Sequence, residues 1–239
     1  MRATFSQALG QLQNAQKGRA KGAPGYSIYV NRKVGRYLAA FAHTLGLTPN
    51  QVTLVSAVFT FSGIVLLAVV PPSGILAIAV WLLLALGYAW DSADGQVARL
   101  RGGGSVAGEW LDHFVDAVKI SSLHLAVLVG WYRYFPLNSD VWLFAPIGFA
   151  IVGAVTFFAM ILNDLLKVAR GAPKSMETGG SSPLRSVLLL PTDYGILCLS
   201  FILWGFPVVF VGVYSLLALA CALFLVLAAS KWFKDMKSI

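Results

Sequence analysis

Charge is scarce in this sequence. Asp, Glu, Lys and Arg together make up 12% of its 239 residues, whereas a water-soluble domain carries about 25%. With 58% hydrophobic residues, that scarcity excludes an ordinary soluble globular domain and points to a polytopic membrane protein. Cysteine is scarcer still. The only two, Cys198 and Cys221, lie in apolar segments and belong to no metal-ligand pattern, so they read as small hydrophobes and imply no disulfide framework. The first 25 residues contain no continuous apolar run, so they are not read as a signal peptide and a cytoplasmic start is expected.

What is present is a series of apolar stretches. A helix needs roughly 20 residues to cross about 30 Å of hydrocarbon, and six candidates lie near 51–70, 74–97, 107–132, 141–166, 188–205 and 208–230. Basic residues collect in alternate connections: Arg2 to Arg36 before the first span, Arg99 and Arg101 after the second, Lys167 to Arg185 after the fourth, and Lys231 to Lys237 at the end. Lys and Arg mark cytoplasmic loops, so both termini are expected inside a cell membrane that the chain crosses several times. The net charge of +8 therefore calls for no nucleic acid. It suits an anionic membrane face and an anionic substrate arriving from the cytoplasm.

Before the first span, residues 26–47 place Ile28, Val34, Tyr37, Leu38, Phe41 and Leu45 near one helical stripe and Arg32, Lys33 and Arg36 on another. That pattern predicts an amphipathic helix lying on the cytoplasmic leaflet. Thr48-Pro49-Asn50-Gln51 then supplies an N-cap threonine, a first-turn proline and a glutamine three after the cap, the capping box of the first span. The parse is a cytoplasmic tail over 1–25 and one membrane domain over 26–239. Its fold class is all-α, a bundle of six transmembrane helices preceded by an interfacial amphipathic helix.

The stretch from Asp91 to Lys119, DSADGQVARLRGGGSVAGEWLDHFVDAVK, breaks the apolar pattern. At 1.5 Å per residue, a span starting near Ser73 reaches the far side of the hydrocarbon at about Asp94. Asp91 and Asp94 are three apart, and Asp112 and Asp116 are four apart, so each pair shares one helical face. The short turn LRGGGS makes the two helices antiparallel neighbours, and both pairs are expected to converge in a cavity open to the cytoplasm. Carboxylates gathered in a low dielectric repel one another and need cations. A solvated, salt-bridged helix end would use only Arg99, Arg101 and Lys119. An all-oxygen ligand set suits Mg²⁺ or Mn²⁺ better than zinc, and such a centre binds a diphosphate. His113 points elsewhere on its helix, and His124, two turns deeper, reads as a packing residue.

The spacing Asp91-x2-Asp94-Gly95-x2-Ala98-Arg99-x8-Gly108-x3-Asp112-x3-Asp116 resembles the signature of the CDP-alcohol phosphatidyltransferase family. The resemblance implies two divalent ions held by the four aspartates and a CDP-linked lipid donor such as CDP-diacylglycerol. A small alcohol acceptor would attack the donor's β-phosphorus, with CMP leaving. By position it implies that Asp91, Asp94 and Asp112 are metal ligands and that Asp116 is both a ligand and the general base. Gly95, Ala98, Arg99 and Gly108 would belong to the CDP pocket, with Asn50 and Thr53 near the nucleotide.

The acceptor is less constrained. Lys167, Arg170, Lys174 and Arg185 could hold the phosphate of inositol phosphate or glycerol 3-phosphate, or could simply follow the positive-inside pattern. Lys119, one turn after Asp116, could bind that phosphate or neutralise the fourth acid. Asp164 and Asp193 read as hydrogen-bonding or capping residues. A second copy of the chain is a candidate partner. Two alternatives stand beside the transferase reading. A membrane prenyltransferase would also bind a diphosphate through aspartates and Mg²⁺, but would carry two separated acid-rich motifs. A non-catalytic scaffold would not need all four aspartates.

Overall fold

The computed structural model describes residues 4–14, 24–172 and 189–238, and every regular element among them is helical. The helices are α1 (Phe5–Asn14), α2 (Arg32–Leu45), α3 (Pro49–Val69), α4 (Gly74–Leu100), α5 (Val106–Tyr134), α6 (Phe144–Ala169), α7 (Tyr194–Ser200) and α8 (Pro207–Lys237). A π-helical turn, Ser27–Asn31, leads into α2, and 3₁₀ turns precede α6 and follow α7. Five segments are long and apolar enough to cross a bilayer: Pro49–Val69, Gly74–Leu100, Val106–Tyr134, Asp140–Ala169 and Pro207–Lys237. The chain is accordingly an integral membrane protein.

The remaining candidate span, 188–205, takes a different form. Its described part is a 3₁₀ turn, Leu190–Thr192, followed by the shorter apolar helix Tyr194–Gly205, which begins as α7 and tightens to 3₁₀ over Phe201–Gly205. It starts level with Tyr88, whose ring meets Tyr194 edge-on at 5.1 Å, and ends where Gly205 lies against the backbone of Ser73 and Gly74. Six crossings thus describe the bundle only approximately. Asp193 caps α7 by accepting from Gly195 N at 2.9 Å, and its second oxygen accepts from Ser27 N at 2.9 Å. The capping role read for Asp193 is what the carboxylate performs, while it also anchors the entry to α2.

Local chemistry fixes the helix ends. Thr48 Oγ1 accepts from Gln51 N at 3.2 Å, and Gln51 Oε1 accepts from Thr48 N at 2.8 Å, completing the expected capping box. Ser73 and Ser105 cap α4 and α5 more simply, their side-chain oxygens accepting from Leu76 N and Gly108 N. Between those two helices Gly102 and Gly103 take φ of +89° and +136°, values that residues with a Cβ rarely adopt. The chain can therefore reverse within a few residues and set α5 antiparallel to α4.

Two kinds of packing hold the bundle. Away from the aspartates, Trp131, Phe135, Trp204, Phe201, Phe210 and Tyr214 form a buried aromatic core between α5, α8 and the 3₁₀ turn after α7. His124 belongs to it: its ring stacks on Phe149 with centroids 4.1 Å apart, and Nδ1 is 2.7 Å from Tyr214 Oη. Toward the aspartates, α3 and α4 meet along small residues. Ser56 Oγ donates to Gly87 O at 2.8 Å, and a Cβ on Gly87 would lie 2.1 Å from Thr60 Oγ1. Close approach of this kind is how helices associate where lipid removes the hydrophobic drive.

Helix α2 buries its small residues, Gly35, Ala39, Ala40 and Ala42, and leaves Val34, Tyr37, Phe41 and Leu45 exposed. Four of the six residues of the apolar stripe read from sequence thus face outward, while Leu38 packs on the buried layer. Within the segment expected as a tail, α1 packs onto this layer, with Ala8 and Leu12 fully buried against Ala39, Ala42, Val52, Ala93 and Val97.

Candidate active site

The aspartate cluster sits where the last turns of α4 face the first turns of α5. Asp91, Asp112 and Asp116 each offer a carboxylate oxygen, and these oxygens lie within 4.8 Å of one another. All three side chains are half-buried. Three hard oxygen donors from two helices, so close together, fit a divalent ion such as Mg²⁺ or Mn²⁺ and form a candidate metal centre.

Asp94 stands apart from this group. Its Oδ2 accepts from Thr53 Oγ1 at 2.7 Å, its Oδ1 accepts from Gly95 N, and the residue is buried. The expected convergence of four carboxylates is therefore three from the α4–α5 face and one turned toward α3. The reason is angular. Residues three apart on a helix differ by about 60° around its axis, so when Asp91 faces α5, Asp94 is rotated toward the neighbour on the other side.

Lys119 enters the cluster from α5. Its Nζ lies 2.5 Å from Asp91 Oδ1 and 2.6 Å from Asp116 Oδ1, and the residue is 6% exposed. Of the two roles open to Lys119 in the sequence, the structure shows ion pairing to the acids, and to Asp91 across the helix pair as well as to Asp116.

The other motif residues form a rim. Gly95 is exposed, and a Cβ there would meet only Arg99 Nη1, at 3.8 Å, so the helix surface beside Asp94 is bare and overhung by a guanidinium. Arg99 Nε is buried without a hydrogen-bond partner. Ala98 is half-buried next to it. Gly108 lies against Asn50: a Cβ would come 3.0 Å from Asn50 Oδ1, so a side chain at 108 would require the Asn50 amide to give way. Asn50, Thr53, Gly95, Ala98, Arg99 and Gly108 thus belong to the same end of the bundle as the acids. His113 turns away, edge-on to Phe157 at 6.1 Å.

Of the basic residues after the fourth span assigned to an acceptor, only Lys167 and Arg170 are among the described residues. Arg170 is exposed at the end of α6, outside the ion-paired cluster. Lys174 and Arg185 lie outside the described residues. Lys167 pairs with Asp235 at 3.7 Å, joining α6 to α8.

One element of the site was not visible in the sequence. Gln96 is 2% exposed, and its side-chain amide donates to Arg32 O at 3.2 Å, while Asn31 Nδ2 donates to Tyr88 O at 3.1 Å. These two amides fasten α2 to the motif helix and bring Arg32 into electrostatic range of Arg99. A glutamine among the small residues of DSADGQVAR was the one available signal. Its partner is a backbone carbonyl 64 residues away, which no side-chain pattern encodes.

Comparison with known proteins accords with this geometry. A phosphatidylinositol phosphate synthase of Corynebacterium glutamicum is 43% identical over 90 residues, a stretch covering 38% of this chain and 39% of that relative. Among solved structures, the phosphatidylinositol phosphate synthase of Mycobacterium tuberculosis in complex with manganese and citrate superposes with a TM-score of 0.54 at 22% identity, over 82% of this chain and 87% of that one. The same enzyme with CDP-DAG bound gives 0.54 and 22%, over 85% and 94%. Those likenesses establish the shared fold. The sequence pattern of the CDP-alcohol phosphatidyltransferases matches residues 46–232, most of the chain including the whole aspartate motif, and on that match the protein belongs to the CDP-alcohol phosphatidyltransferase family.

Proposed function

We propose that the protein transfers the phosphatidyl group of CDP-diacylglycerol to a hydroxyl of an inositol phosphate, releasing CMP, in phospholipid biosynthesis. The observation that carries this reading is the convergence of Asp91, Asp112 and Asp116 from two antiparallel helices at the basic end of an integral membrane bundle. The similarity to the Corynebacterium enzyme supports the phosphorylated inositol as acceptor.

Asp91, Asp94, Asp112 and Asp116 would hold two Mg²⁺ or Mn²⁺ ions. Bound there, the ions would neutralise the diphosphate and ease departure of CMP. Asp116 takes the proton of the acceptor hydroxyl. The hydroxyl oxygen then bonds to the β-phosphorus, and the bridging P–O bond breaks with its electron pair leaving on CMP. Gly95, Ala98, Gly108 and Asn50 leave room for the nucleotide, and Arg99 offers its unpaired Nε to a phosphate or base edge. Thr53 orients Asp94. Arg170 and Arg185 are the candidates for the acceptor's phosphate. The lipid tails remain in the bilayer while the headgroup chemistry proceeds at its cytoplasmic boundary.

Purified protein supplied with Mn²⁺, CDP-diacylglycerol and a panel of inositol phosphate, glycerol 3-phosphate, free inositol and serine tests the assignment by mass spectrometry of the lipid product. A phosphatidylinositol phosphate is expected, and Asp116→Asn is expected to abolish it while retaining CMP binding. Release of CMP with a different acceptor alone would reassign the substrate, and no release with any acceptor would remove the transferase reading.

A further inference from the structure

We propose that Lys119 is a resident counter-cation of the metal centre, which competes with the divalent ions for Asp91 and Asp116 and so sets how tightly the site binds metal. The inference rests on the metal-dependent transferase reading above.

Lys119 Nζ sits between Asp91 Oδ1 on α4 and Asp116 Oδ1 on α5, at 2.5 and 2.6 Å. An anchor for an acceptor phosphate must present its N–H groups to the ligand. This ammonium spends two of its three on carboxylates and is 6% exposed. It is also the only Lys or Arg that forms an ion pair with the cluster among the described residues. The oxygens it occupies belong to two of the three acids whose ligand atoms converge, so ammonium and metal draw on the same carboxylates.

Such a cation has two consequences. It lowers the repulsion among the acids when metal is scarce and ties α4 to α5 across the cleft. It also opposes metal loading, because a like charge remains within a few ångströms of any ion the acids hold. The long lysine stem lets Nζ withdraw without moving the helix backbone.

Mn²⁺ titration of the detergent-solubilised, chelator-stripped protein, read by thermal shift, separates the possibilities. Lys119→Met should bind Mn²⁺ roughly tenfold tighter or more, the effect of removing one close like charge in a partly screened site. It should also melt below wild type in EDTA. Lys119→Arg, which keeps the charge, should remain near wild-type affinity. Equal or weaker Mn²⁺ binding by folded Lys119→Met overturns the proposal. If wild type itself shows no Mn²⁺ response, the metal reading fails instead. Should Lys119→Met not fold, amine labelling of wild type answers the same question: modification of Lys119, followed by mass spectrometry, should rise when Mn²⁺ is added, and unchanged labelling overturns the proposal.

Discussion

At the scale of the residue, Asp94 and Thr53 carry the most information about how the site is held. A buried carboxylate costs free energy unless its oxygens find donors, and Asp94 finds one in the Thr53 hydroxyl at 2.7 Å. Thr53→Val keeps the shape and removes that donor. It is expected to destabilise the fold by about 1–3 kcal/mol, the cost of leaving a buried acceptor short of a partner, whereas Thr53→Ser should retain most of the stability. Thermal and denaturant unfolding of both variants checks this, and a Thr53→Val protein as stable as wild type would show that Asp94 is solvated by other means. The identity of the four aspartates was legible because their spacing is a property of the chain. Their division into three plus one was not, because it depends on which neighbour lies on each side of α4.

At the scale of the element, α3 and α4 form a seam of small residues that places Thr53 beside Asp94. Gly87 is its tightest point: an added Cβ would meet Thr60 Oγ1, Thr60 N at 3.0 Å and Ser56 O at 3.2 Å, two of them backbone atoms that cannot rotate away. Gly87→Ala should therefore separate the helices and destabilise the protein by about 1–3 kcal/mol, as overpacking does elsewhere. The melting temperature should fall by several degrees, and because the seam positions Asp94, Mn²⁺ affinity should fall with it. A variant that melts and binds like wild type would mean that the seam yields without cost. Helix existence was readable from apolar length and capping chemistry, as Thr48 and Gln51 illustrate. The short helices were less so. Helix α1 has only ten residues, too few for a pattern to stand out, and its order comes from burying Ala8 and Leu12 against α2 and α4. Helix α7 ends in a 3₁₀ stretch, which changes its rise per residue and makes its length unreadable from composition.

At the scale of the whole molecule, the bundle has two unlike ends. One is packed with aromatic rings around Trp131 and Trp204, and the other is built from small residues, carboxylates and amides. The basic connections predict that the second end faces the cytoplasm. In intact cells, a cysteine placed at Gly104 should resist a membrane-impermeant maleimide, and one at Ser139 should react; in inverted vesicles the pattern should reverse. Both positions are exposed in turns, so the labels report sidedness rather than burial. The opposite pattern would place the aspartates on the outer face and remove the cytoplasmic assignment.

The latch between α2 and the motif helix reaches beyond the site. Gln96 and Asn31, both buried residues, fix α2 to α4 through their side-chain amides, while Val34, Tyr37, Phe41 and Leu45 face outward. Helix α2 thereby joins an outward apolar side to the helix that carries Asp91 and Asp94, so a displacement of α2 is transmitted to α4 through two side-chain amides. Cutting both amides would leave the catalytic helix with its backbone intact and one neighbour loosened.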